Sequence, residues 1–70
     1  SMGRNYNKLK GRIAELGLTQ TSLAALIKIN ESTMSQKLCG KSAFTTTQID
    51  EICKVLDIAN EDIGAYFFTA

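Results

Sequence analysis

Thr19 and Asn30 are two helix-starting residues set eleven positions apart, with Gly17 and Gly40 on either side. A hydroxyl or amide side chain at a helix start accepts hydrogen bonds from the first free amides, and a glycine just past the end takes the left-handed conformation that stops the helix. The interval leaves room for one helix of about two turns, a very tight turn, and a second helix from Glu31 to about Leu38. Leu23, Leu26 and Ile27 form the inward face of the first of these, behind the small Ala24, and Met34 points inward from the second. Ile29 is expected to plug the turn from within and hold the two helices at roughly 90–120°.

The remaining segments read as helices of the same kind. Tyr6, Leu9, Ile13 and Leu16 fall at spacings of three and four, one apolar stripe that Gly17 terminates. Thr45 followed by Gln48 fits a capping box, and Ile49, Ile52, Cys53 and Leu56 make the stripe behind it. Asn60 then caps a last short helix carrying Ile63, Tyr66 and Phe67. Alternation with period two is nowhere sustained, so no strand competes. The expected fold is all-α, with five helices in a single domain over residues 6–70. Residues 1–5 form a tail in which Ser1, ahead of Met2, reads as a scar of tag removal.

A chain of 70 residues, 44% apolar and without proline, has the composition of a small folded domain. It contains no histidine and no Cys-x-x-Cys pair, so the nitrogen and sulfur set of a zinc site is missing, and Cys39 and Cys53 are read as free thiols. No nucleophile stands with a base, and the chain is too small for a substrate pocket, which argues against an enzyme, a cofactor or a small-molecule substrate. No apolar run approaches the ~18 residues of a membrane span, and a cytoplasmic protein is expected. The formal charge of +1 conceals an asymmetry: residues 1–45 hold seven cations against Glu15 and Glu31, and residues 46–70 hold Lys54 against five acids. A polyanion would meet the first part. RNA fits poorly, because the aromatic residues cluster at the C-terminus and do not interleave with the cations.

The run from Thr19 to Lys41 resembles the helix-turn-helix of the phage lambda repressor and Cro family. The likeness rests on Thr19-Gln20 at the helix start, Leu23-Ala24 one turn on, the capped Ser32-Thr33-Met34-Ser35 segment, and Gly40-Lys41 after it. With the flanking helices it extends over nearly the whole chain from Tyr6. The resemblance implies a lambda-repressor-like, sequence-specific regulator of phage or prophage type that reads a palindromic double-stranded DNA operator as a homodimer. On it, Glu31, Ser32 and Gln36 would contact bases, and Gln20, Thr33, Ser35 and Lys41 would contact phosphates. Tyr66, Phe67 and Phe68 are three consecutive aromatic residues of which a short helix turns at most two inward, so they are the expected dimer surface.

Three residues depart from the family pattern. Lys28 stands at a turn position where glycine is usual, so either it adopts a positive φ or the turn relaxes. Lys37 stands where an apolar residue is usual, and Leu38 is expected to take over its burial. Glu31 brings a negative charge toward phosphates, unfavourable unless it meets a base amino group. The alternative reading is a protein-interaction module of the same fold, an antitoxin or regulator-binding domain whose polar third helix contacts a protein.

Overall fold

A computed structural model describes residues 6–68; the expected tail and tag scar lie outside the described residues. The elements are α1 (Asn7–Glu15), α2 (Gln20–Leu26), α3 (Glu31–Leu38), α4 (Thr46–Leu56), a 3-10 turn (Asn60–Asp62) and α5 (Ile63–Phe67). The expected all-α class and the five helices are thus present, and no strand occurs among the described residues.

The helix starts follow the capping chemistry. Thr19 accepts from the Ser22 amide, and the Ser22 hydroxyl accepts in turn from the Thr19 amide, a reciprocal box that opens α2. The Asn30 side chain accepts from the Ser32 amide at 2.8 Å and opens α3. Thr45 and Gln48 form the box expected at α4. Asn60 does not cap α5: it lies inside the 3-10 turn, Ala59 occupies the cap position, and no side chain caps either segment.

The helix ends share one closure. Gly17, Lys28, Gly40 and Asp57 all adopt positive φ, at 73°, 61°, 84° and 54°. After each, the next amide reaches back to a carbonyl five residues earlier: Leu18 to Ile13, Ile29 to Ala24, Lys41 to Gln36 and Ile58 to Cys53. This is the Schellman closure, and in three cases the returning residue is apolar and packs on the core. Ile29 is one of these, so the residue expected to plug the turn does so while sealing the end of α2.

The core is built on Leu9, Leu23, Met34, Ile52, Leu56 and Phe67, each fully buried. Tyr6, Phe44 and Phe67 continue it as a chain of edge-to-face rings with centroids 5.5 and 5.7 Å apart. Two expectations about burial change. Leu26 is 53% exposed, because the buried face of α2 is set by Leu23, Ala24 and Ile27 and Leu26 falls about 100° from its centre. Lys37 is buried together with Leu38 and is not replaced by it. Its Nζ donates to the Ala43 carbonyl at 2.7 Å and lies 5.8 Å from the Phe44 ring centroid. The two cysteines are free thiols, Cys39 exposed and Cys53 buried. Burial pushes the Cys53 thiol above its ordinary pKa, with Asp50 adding to the shift.

Candidate functional site

Of all pairs of helices, α2 and α3 pack on each other most extensively. Between them lies an open cleft of about 720 Å³, lined by Gln20, Thr21, Asn30, Glu31, Ser32, Ser35 and Gln36. Thr19 starts α2 so that Gln20 and Thr21 fall in its first turn, and Asn30 starts α3 so that Glu31 and Ser32 fall in its own. The buried Met34 and Leu38 fix the inner face of α3, which turns Ser35 and Gln36 outward. Across the cleft, the Thr21 hydroxyl donates to Glu31 Oε2 at 2.7 Å and ties the two helices together.

Five of the residues singled out in the sequence therefore share one surface: Gln20, Glu31, Ser32, Ser35 and Gln36. Thr33 is half-buried and Lys41 follows the end of α3, and neither lines the cleft. Thr21 and Asn30 do line it. Asn30 is legible in sequence only as a cap, and nothing local marks Thr21, whose partner stands ten residues away.

The electrostatics of this face differ from the expectation drawn from charge counting. Among the described residues, its lining carries one formal charge, the Glu31 carboxylate, and no cation. Among the cations of residues 1–45, Arg12 turns inward, its Nε donating to the Leu56 carbonyl at 2.9 Å and its Nη1 pairing with Glu15 at 3.0 Å. Lys37 is buried and Lys8 lies over the Tyr66 ring. Lys10, Lys28 and Lys41 are exposed but dispersed over α1, the α2–α3 turn and the end of α3. Among the described residues, the cations of this segment do not form a basic face at the cleft.

The aromatic triplet is also redistributed. Of the three, Phe67 belongs to the core at 2% exposure, Tyr66 is half-buried, and only Phe68 is exposed. A five-residue α5 whose inner face is anchored by Phe67 cannot also offer Phe67 to a partner. Among the described residues, no group of His, Cys, Asp or Glu side chains could hold a metal ion. No helix among them is long and apolar enough to cross a membrane.

The same architecture occurs in the solution structure of the modulator of repression of the temperate bacteriophage TP901-1 from Lactococcus lactis. That protein is 34% identical to this chain, and the alignment covers 96% of this chain and 90% of the other with a TM-score of 0.81. The class so defined is the small all-helical phage regulatory protein. Within it, the chain belongs to the family described as Protein of unknown function (DUF739), which matches over residues 2–70. The comparison with curated proteins gave no match.

These findings correct the main expectation from the sequence, that of a regulator reading operator DNA through the helix from Glu31 to Leu38. The solved structure to which the chain is similar is a modulator of repression, and the face that would enter the groove carries a carboxylate without cations. Phosphates attract Lys and Arg, and among the described residues this face supplies neither.

Proposed function

We propose that this chain is a regulator-binding module, not an enzyme, that modulates a phage repressor by direct contact through the cleft between α2 and α3. The observation that carries this reading is the 34% identity, across 96% of the chain, to a modulator of repression. Gln20, Glu31, Ser32, Ser35 and Gln36 are its contact residues, joined by Thr21. The resemblance of residues 19–41 to the lambda repressor and Cro helix-turn-helix is then a shared scaffold turned to protein recognition, since function resides in the site and not in the fold. The polar, well-capped ends of α2 and α3 support this use: they hold exposed donors and acceptors on rigid elements, as a specific protein contact requires.

The test is isothermal titration of the chain with the repressor carried by the same phage or prophage genome, with its operator duplex titrated separately. Saturable binding to the repressor and none to the duplex is the expected result. Saturable binding to the duplex alone would overturn the proposal.

A further inference from the structure

Among the described residues, Glu31 is the single charge lining the α2–α3 cleft, and its surroundings determine what can cover it. Its Oε2 accepts from Thr21 at 2.7 Å, and no other hydrogen bond or ion pair among the described residues engages the carboxylate. Around it, Gln20, Ser32, Ser35 and Gln36 supply amide and hydroxyl groups without a formal charge. In the free protein water solvates this exposed carboxylate at little cost. A partner that covers the cleft removes that water, and an unpaired carboxylate beneath a protein surface is strongly unfavourable. A cation on the covering surface answers this demand most fully, through charge-assisted hydrogen bonds. An apolar cover would strand both the charge and the amides, and an anion would be repelled.

The two cationic side chains differ in what they can satisfy. A lysine ammonium is a compact point charge, whereas a guanidinium offers five N–H donors in a planar fork. The cleft sets its polar groups on two helices: the open oxygen of Glu31 and the side-chain amide of Gln36 on α3, and the side-chain amide of Gln20 on α2. A fork can bond the carboxylate and still keep N–H donors for a neighbouring side-chain amide. We infer that the α2–α3 cleft takes an arginine side chain of the partner protein, its guanidinium seated on the Glu31 carboxylate. This rests on the regulator-binding reading and specifies its chemistry. Thr21 is a positioning residue, holding one carboxylate oxygen so that the other faces the cleft.

The test uses the repressor of the same genome with its arginines labelled with nitrogen-15, titrated with the full chain and with Glu31→Gln, Thr21→Val and Glu61→Gln. Glu61 is an exposed acid in the 3-10 turn, outside the cleft lining, so Glu61→Gln removes the same charge elsewhere. All three substitutions are at exposed positions, and thermal melts report that the fold is kept. With the unmodified chain, one arginine Nε–H resonance shifts and becomes protected from exchange. Glu31→Gln abolishes that shift and weakens binding at least about tenfold, Thr21→Val weakens both by a smaller factor, and Glu61→Gln leaves both unchanged. The inference is overturned if the complex forms without moving any arginine resonance, if Glu31→Gln binds as tightly as the unmodified chain, or if Glu61→Gln loses as much as Glu31→Gln. Thr21→Val indistinguishable from the unmodified chain would remove Thr21 from the site. Failure of the unmodified chain to bind the repressor overturns the regulator-binding reading itself, and this inference with it.

Discussion

Lys37 illustrates how one side chain can satisfy two demands that a sequence pattern treats as opposed. Its position in α3 faces the core, yet the stem reaches far enough for the ammonium to meet the Ala43 carbonyl at 2.7 Å while the methylenes stay beneath. Long cationic side chains commonly divide in this way, apolar along the stem and polar at the tip. The bond is only partly buried and Ala43 is itself exposed, which limits what the ammonium adds. The stem, rather than the charge, is then the main contributor to stability. Lys37→Met is expected to leave the unfolding free energy within about 1 kcal/mol, whereas Lys37→Ala, which removes three buried methylenes, costs about 2 kcal/mol. Urea denaturation of the two variants decides between stem and charge, since equal losses would give the hydrogen bond the larger part. The same division explains why charge counting misjudged the surface: a lysine in the sequence says nothing about whether its tip lies outside or under a turn.

At the scale of elements, the repeated helix closure sets what was legible. Gly17 and Gly40 announce two of the left-handed stops, because only glycine takes that conformation without penalty. Lys28 makes the third with φ of 61°, resolving the choice between a positive φ and a relaxed turn in favour of the former. Its neighbours require it: Ile29 must return to the Ala24 carbonyl at 2.9 Å and pack on the core. A left-handed non-glycine residue costs about 1–2 kcal/mol, and glycine adds roughly 0.5–1 kcal/mol of unfolded-state entropy. Lys28→Gly is therefore expected to stabilise the fold by up to about 1 kcal/mol, raising the midpoint by a few degrees. A lowered midpoint in a thermal melt would show that Lys28 makes a compensating contact. Asp57 makes the fourth stop and was not legible, since a single aspartate among polar residues signals a surface as readily as a turn. The caps at Thr19, Asn30 and Thr45 were legible because each bond is local, reaching two or three residues along the chain. The Thr21–Glu31 bond was not, because it exists only once two helices have packed.

For the whole molecule, the relation between fold and function turns on which surface the charges reach. A helix-turn-helix resemblance and seven cations before residue 46 suggested a polyanion partner. Among the described residues, folding buries Lys37, turns Arg12 back onto the Leu56 carbonyl and disperses the exposed lysines, and the α2–α3 cleft keeps the carboxylate of Glu31 as its one lining charge. The same scaffold then presents neutral amides and hydroxyls around one negative charge, a surface suited to a cationic protein rather than to phosphates. This difference has a measurable consequence in ionic strength. A protein that neutralises six or more phosphates loses about a thousandfold or more in affinity between roughly 50 and 200 mM salt, because each contact releases condensed counterions. A contact with one carboxylate at its centre releases none of that atmosphere, and a pair covered by the partner is screened less than an exposed one. Binding of this chain to the repressor is accordingly expected to weaken by no more than about threefold over that range. Titrations at the two salt concentrations test this directly: a loss of several hundredfold would mean that many exposed charges, and not the α2–α3 cleft with Glu31 at its centre, carry the association.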